Sequence, residues 1–223
     1  MIGTRIQGAA LTLALVAGLA ACGNDNDGGQ AANPLLIAAK SLGTAATRIR
    51  GNDDKAAAAP ARTPEQMAAE AMRVNSGPLI LVGFESLGRN QVMAMTGQNG
   101  GLRTYMTPAE EALILRDGMV IGTRGLGNDL SVAEPGTENL IRRQGTGQAR
   151  RVMRYFAGDG LERPLDFNCS VGPGPRAGVV VENCQGHGAS FQNNYLPQGG
   201  HLPVSRQWLG PKLGYVTIQV LRP

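Results

Sequence analysis

The stretch Leu113-Ile-Leu-Arg-Asp-Gly-Met-Val-Ile-Gly122 decides the fold class of this protein. Its two apolar runs flank Asp117-Gly118, a dipeptide that supplies the positive φ angles of a two-residue β-hairpin turn. Asn99-Gly100 and Asp159-Gly160 place the same signal between other strand-like runs. Three such turns predict an antiparallel meander.

Strand patterns continue on both sides of this hairpin. The apolar run Leu79–Phe84 predicts a buried strand. In 161–171 and in 215–221 apolar and polar residues alternate, so Phe167 and Cys169 share one face of their strand. About eight strands joined by short turns predict a mainly β fold, in which an antiparallel meander forms a barrel or sandwich.

The sequence before this β region predicts one or two helices. After Pro34, apolar residues recur at helical spacing as far as Gly51. Thr63-Pro64-Glu65-Gln66 has the order of an N-cap, a first-turn proline and an early acid, and it opens a second short helix through Met72. We therefore divide the chain into a signal peptide (1–21), a lipidated tether (22–33), an Ala-rich helical segment (34–76) and a β domain (77–223).

The N-terminus predicts where the protein is located. Arg5 is the only charge before an apolar run that ends in Leu19-Ala-Ala-Cys22, a pattern typical of a secretory signal peptide. Leu-Ala-Ala-Cys also resembles a bacterial lipobox, which implies cleavage before Cys22 and lipid attachment to its sulfur. Burial of acyl chains contributes ~0.8 kcal/mol per CH₂, so several chains would anchor the protein firmly to a membrane. Gly23, where aspartate would imply inner-membrane retention, predicts the periplasmic face of the outer membrane. An ordinary signal peptide with an incidental cysteine is the alternative.

Lipidation of Cys22 leaves two of the three cysteines, Cys169 and Cys184. An even pair in an oxidising compartment predicts a disulfide, which for a loop of about 15 residues stabilises a fold by roughly 3 kcal/mol in the chain-entropy model. A zinc site that adds His187 and His201 is the alternative. Its ligand spacing is not that of a zinc finger or ribbon, and we predict no metal.

Composition and motifs argue against several functional classes. The formal charge of +4 is a weak basic excess spread along the chain, and with an extracytoplasmic address it predicts no nucleic acid binding. No Walker loop, His-Glu-x-x-His helix, Gly-x-Ser-x-Gly elbow or paired Cys-x-x-Cys is present. We therefore predict no catalytic residue, no cofactor and no enzymatic activity. The alternative of a polysaccharide-modifying enzyme could use His187 beside Ser190, or the acidic pairs Glu110-Glu111 and Asp159 with Glu162, but none of these has the support of a motif.

Several short motifs in order resemble those of a known family. Gly118-Met-Val-Ile-Gly-Thr-Arg-Gly-Leu126 with Asp129-Leu130 resembles the Gly-x-Val-x-x-Thr-x-Gly-Leu signature of the YjbF/GfcB family of group 4 capsule polysaccharide lipoproteins. Phe191-Gln-Asn-Asn-Tyr195 and the tail Ser205-Arg-Gln-Trp-Leu-Gly-Pro211 are similar to two further motifs of that family, and Cys169 and Cys184 fit its cysteine pair. The resemblance covers roughly residues 77–223 and the lipobox.

This resemblance implies a periplasm-facing outer-membrane lipoprotein, built mainly of β-strands and encoded with genes for making or exporting an exopolysaccharide or capsule. It implies polysaccharide export proteins as partners, and the polysaccharide itself as a further candidate. We expect a non-catalytic binding or scaffolding component. A periplasmic polysaccharide-modifying enzyme and an envelope-integrity lipoprotein remain alternatives.

Four residues are candidates for glycan contact. Trp208 and Tyr195 could stack on sugar rings, while Asn193 and Arg206 could form hydrogen bonds with hydroxyl or carboxylate groups. The alternative for Trp208 is a place in the core, because a domain with 4 % aromatic residues needs its largest side chains there. A cluster of arginines is the other candidate surface, for an anionic glycan or as a solvated face, and comprises Arg142, Arg143, Arg150, Arg151 and Arg154.

Overall fold

The computed structural model describes residues 62–223, apart from 157, 158 and 160. A helix, α1 (Pro64–Val74), precedes the strands, a 3₁₀ turn (Glu85–Leu87) follows the first of them, and a short helix, α2 (Glu138–Arg142), lies between the sixth and seventh. The strands are β1 (Leu79–Phe84), β2 (Arg89–Asn99), β3 (Leu102–Met106), β4 (Ala112–Arg116), β5 (Met119–Arg124), β6 (Leu130–Pro135), β7 (Gly147–Phe156), β8 (Glu162–Pro173), β9 (Val180–Gly186), β10 (Ala189–Gln198), β11 (His201–Gly210) and β12 (Gly214–Arg222).

All twelve strands belong to one antiparallel sheet in the order β5-β4-β3-β2-β1-β12-β11-β10-β9-β8-β7-β6. The first and last strands are neighbours within this order, and Val82 lies opposite Ile218. The two edge strands, β5 and β6, meet each other. Arg124 Nη1 donates to the Leu130 carbonyl oxygen at 3.3 Å, and a Cβ on Gly122 would lie 3.2 Å from the Ser131 carbonyl oxygen. The sheet is therefore a near-closed barrel, which protects edge strands from pairing with other chains.

The barrel interior follows the alternation along the strands. In β8, Phe167, Cys169 and Val171 are buried while Asn168 and Ser170 between them are exposed. The alternation predicted for the last strand is also confirmed, with its buried residues facing the same interior. One large apolar cluster and one smaller cluster fill the barrel. The predicted fold class, a mainly β antiparallel meander with an N-terminal helix, is confirmed.

The turns agree with the hairpin signals in part. Asp117 and Gly118 have φ values of 47° and 82° and join β4 to β5, as predicted. Gly100 and Gly101 join β2 to β3, and Asp159 lies between the paired strands β7 and β8. Two more turns, His187-Gly188 and Gly199-Gly200, also use positive φ. The sequence predicts about eight strands where the structure has twelve, in part because these two turns were not counted among the hairpin signals.

Helix α1 begins as predicted. Thr63 Oγ1 accepts a hydrogen bond from the Gln66 backbone N–H at 3.3 Å, and Gln66 Oε1 accepts one from the Thr63 N–H at 3.0 Å. This reciprocal capping box fixes the start of the helix. The helix predicted after Pro34, like Cys22, lies outside the described residues. Within the described part of the chain, every helix is too short or too polar to cross a membrane.

Candidate functional site

The two predicted disulfide partners are bonded to each other. Cys169 on β8 lies opposite Cys184 on β9, and their Cα atoms are 4.0 Å apart. Both side chains face the barrel interior. The carboxylate of Glu182 comes within 4.8 Å of both sulfurs, but zinc binds thiolates and these sulfurs are joined to each other. The structure gives the histidines other neighbours: His187 lies at the edge of a Phe167 ring, and His201 Nδ1 is 2.8 Å from Asp117 Oδ2.

A buried ion pair joins β7 to β9 beside this disulfide. Arg151 Nε lies 3.1 Å from Glu182 Oε1, and Arg151 Nη2 lies 2.9 Å from Glu182 Oε2. The side chains are 3 % and 0 % exposed. A carboxylate is costly to bury unless its charge and lone pairs are matched, and the forked guanidinium matches both.

Three more side chains complete the coordination of this carboxylate. Asn193 Nδ2 donates to Glu182 Oε2 at 2.8 Å and the Tyr195 hydroxyl donates to the same oxygen at 3.1 Å, while the Thr137 hydroxyl donates to Oε1. Together with Arg151 these residues form the buried network. It connects β7, β9, β10 and the segment before α2, and it leaves the carboxylate no free position for a ligand.

The buried network shifts the pKa values of its members in opposite directions. Burial raises the pKa of Glu182, but the charge and hydrogen bonds of Arg151 outweigh burial, so that the net pKa lies below its usual value. Burial, together with the Glu182 charge, holds the pKa of Tyr195 well above its usual value. Glu182 is therefore a carboxylate and Tyr195 a neutral donor near neutral pH, and their roles in this closed interior are structural.

The family-like motifs meet inside the barrel. Gln207 Oε1 accepts from the Val120 N–H at 3.0 Å, and Gln207 Nε2 donates to the Gly118 carbonyl oxygen at 2.8 Å. The tail motif thus holds the start of β5 against β11. Only glycine fits at 118, because its φ is 82° and a Cβ would lie 2.1 Å from the Leu202 carbonyl oxygen.

The other motif residues make equally internal contacts. Asp129 accepts from the Thr123 hydroxyl at 2.8 Å and from the Gly125 N–H at 2.9 Å, which fixes the turn from β5 to β6. Asn193 Oδ1 accepts from the Trp208 backbone N–H at 2.7 Å. The motifs that carry the family resemblance therefore build the closure of the barrel.

The structure separates the four candidate glycan-binding residues. Tyr195 and Asn193 are each 1 % exposed, and their polar atoms belong to the buried network, so we do not retain them as surface contacts. Trp208 is half-buried and stacks on Phe191 with ring centroids 4.3 Å apart. Arg206 is partly exposed and lies 3.5 Å from the centre of the Tyr215 ring.

Most of the acidic and basic candidates are engaged in local ion pairs and hydrogen bonds. Glu111 accepts from Arg89 at 2.5 Å, Glu162 from the Ser131 hydroxyl and Asp159 from Arg163. Four of the five clustered arginines also pair with acids, in the ion pairs Arg142–Glu138, Arg150–Asp166, Arg151–Glu182 and Arg154–Glu134. Pairing leaves this segment with little positive charge to offer an anionic polymer.

The outer face of β7–β10 carries an exposed polar surface that the sequence reading missed. One row of paired positions runs across the four strands through Gln148, Ser170, Asn183 and Gln192. The next row runs through Arg150, Asn168, Gln185 and Ser190. All eight are exposed, and we call them the amide face. The missed signal was polar residues at every second position of four successive strands.

A shallow depression of about 430 Å³ lies on the amide face, between the side chains of β7, β8 and β9. Ala149 and Cys169 also line it. The face borders one of the four candidates, Arg206, because the Gln192 backbone N–H donates to the Tyr215 hydroxyl at 3.1 Å and Arg206 lies over the Tyr215 ring.

Comparison with known proteins agrees with the motifs. The model of the family described as "Group 4 capsule polysaccharide lipoprotein gfcB, YjbF" matches residues 52–221. The fold is similar to the crystal structure of the hypothetical lipoprotein YmcC from Escherichia coli (K12), with a TM-score of 0.58 at 16 % identity over 71 % of this chain and 90 % of that one. No curated protein matches. The chain belongs to the YjbF family of group 4 capsule polysaccharide lipoproteins.

Proposed function

We propose that this protein is an outer-membrane lipoprotein, anchored through Cys22 with its β domain on the periplasmic side, that assists the export or assembly of an exopolysaccharide or capsule. Its role is that of a non-catalytic binding or scaffolding component, in contact with polysaccharide export proteins. The family match over residues 52–221 carries this proposal, together with the lipobox that ends at Cys22.

The geometry of the β domain supports binding in preference to turnover. The most strongly perturbed titratable groups, in the buried network, are enclosed and fully coordinated. A general acid or base must reach its substrate within hydrogen-bond distance, and Glu182 has no such access. The surface offers hydrogen-bonding side chains on a rigid sheet.

The test is complementation of a deletion strain. Cells lacking the gene receive wild-type protein or Cys22→Ala, and surface-attached, released and periplasm-trapped polysaccharide are each measured. We expect the deletion to lower the surface pool, wild type to restore it and Cys22→Ala to fail at equal protein level. If all three pools are unchanged in every strain, the proposal is contradicted and an envelope-integrity role is favoured. If the deletion strain makes normal amounts of a polymer with altered composition, a modifying enzyme is favoured.

Gly23→Asp is the matched variant for the location. It keeps the lipobox cysteine and the whole β domain but introduces the aspartate that implies inner-membrane retention. We expect the variant to fractionate with the inner membrane and to restore less surface polysaccharide than wild type. If the variant fractionates with the inner membrane and still restores surface polysaccharide fully, location in the outer membrane is not required.

A further inference from the structure

The amide face is chemically uniform. Seven of its eight positions carry neutral amides or hydroxyls, and the eighth, Arg150, has its Nη2 2.5 Å from Asp166 Oδ1. Each amide offers two donors and one acceptor with two lone pairs, and each hydroxyl is both donor and acceptor. The face therefore presents many hydrogen-bonding groups and almost no net charge.

This chemistry excludes several kinds of occupant. A protein interface has an apolar centre rich in aromatic residues and methionine, and a membrane surface requires apolar side chains or unpaired cations. The eight positions of the face contain neither. Strands β8 and β9 are paired on both sides, so a peptide cannot add to them as another strand. Recognition here must use side-chain hydrogen bonds.

The dimensions of the face suit an extended polymer. Four neighbouring strands span roughly 14 Å at ~4.8 Å per spacing, and the two rows lie roughly 7 Å apart along each strand. The depression of about 430 Å³ lies within this area. At Gln192 the amide face adjoins Tyr215, whose hydroxyl accepts a hydrogen bond from the Gln192 backbone N–H and whose ring is covered by Arg206. A chain that crosses the rows meets several amides in succession.

We propose that the amide face of β7–β10 is a binding surface for a segment of neutral polysaccharide, whose hydroxyl groups pair with the amide side chains. This inference rests on the proposed function, since it names the surface by which the protein would contact the exported polymer. Amide side chains recognise vicinal hydroxyls through paired donors and acceptors, and the neutral face has no free cation to favour a polyanion.

The test is affinity gel electrophoresis of the full mature chain in detergent. The gels contain exopolysaccharide purified from the medium of the cells that make the protein, dextran as a neutral polymer, or polygalacturonate as an anionic one. We expect the cells' exopolysaccharide to retard the protein. The retardation should change by less than about twofold between about 50 and about 500 mM salt, because salt screens interactions between charges and not hydrogen bonds between neutral groups.

A matched pair of variants locates the surface. Gln148→Ala/Asn183→Ala/Gln185→Ala removes three amides from the face. Asn90→Ala/Gln98→Ala/Gln219→Ala removes three exposed amides of the same types from β2 and β12. We expect the first variant to bind about tenfold more weakly or worse, since several hydrogen bonds are lost at once. The second should bind as wild type does.

The binding test can contradict the inference without contradicting the proposed function. Three results would overturn the inference. The cells' exopolysaccharide does not retard wild type, the two variants bind equally, or the protein binds only polygalacturonate and salt abolishes that binding. The complementation experiment is then unaffected, because it measures export without reference to this face. Loss of binding in the first variant alone supports the inference, and a lower surface pool in cells that carry this variant connects the face with export.

Discussion

The buried network and the amide face are built from neighbouring residues of the same strands. Glu182 and Asn193 face the interior, while Asn183 and Gln192 beside them face solvent. Inside, every polar group that the network uses is matched, and a full charge is tolerated because an arginine lies against it. Outside, the amides are neutral and retain hydrogen-bonding capacity. Polar residues in this sheet therefore stabilise the barrel or are available for binding, according to the face on which they lie.

The largest effect should come from Glu182→Ala, which leaves Arg151 buried without its counter-charge. Removal of one partner of a buried pair typically costs about 3–5 kcal/mol. Asn183→Ala, the adjacent exposed position, should change the free energy of unfolding by less than about 0.5 kcal/mol. Urea denaturation of the two variants measures both quantities. Similar losses for the two would remove the distinction between interior and exterior polar residues.

A smaller loss is expected from Gln207→Leu. The substitution leaves the Val120 N–H and the Gly118 carbonyl without their side-chain partner inside the barrel. Unsatisfied buried groups cost about 1–3 kcal/mol, and we expect a loss in that range. Gln219→Leu, an exposed glutamine on β12, is the matched control for denaturation. If the control loses as much stability as Gln207→Leu, the contact between β5 and β11 contributes nothing measurable.

The smallest effect should come from acid, because protonation removes only the charge of Glu182 and keeps its side chain. The folded-state pKa lies below the usual value of 4.5, so its contribution to stability is complete above about pH 4.5 and is lost as pH falls through the folded pKa. The free energy of unfolding should fall less steeply with decreasing pH in Arg151→Met/Glu182→Gln than in wild type. Equal slopes below pH 4.5 would show that Glu182 does not carry this acid sensitivity.

Local patterns predicted much of the fold. The Asp117-Gly118 turn, the alternation through Phe167 and Cys169, and the capping box at Thr63 each depend on residues within a few positions of one another. The strand number was underestimated where a turn uses His187-Gly188, which is not a common hairpin dipeptide, or Gly199-Gly200, a hairpin signal that the sequence prediction did not count. The disulfide followed from an even cysteine count in an oxidising compartment, without knowledge of the register.

The site was harder to predict, as Phe191-Gln-Asn-Asn-Tyr195 demonstrates. Period-two geometry places Phe191, Asn193 and Tyr195 on one face of β10. The other face carries only the amides Gln192 and Asn194, so the two aromatic residues mark the inner face and Asn193 lies on it with them. The candidate glycan contacts at Asn193 and Tyr195 were selected from residue type alone, and the barrel places both inside.

The sequence by itself determined the antiparallel meander, the N-cap of α1, the cysteine pair and the family, because each depends on local geometry, counts or motif order. The tertiary structure alone decided that β1 pairs with β12, that β5 meets β6, and which polar residues enter the interior. The pairing of β1 with β12 joins segments far apart in the chain, whereas β5 and β6 are consecutive strands whose meeting closes the barrel because the other ten strands pair in order between them. Whether a polar group is buried or free to bind depends on which strands close over it, and closure is a property of the whole sheet.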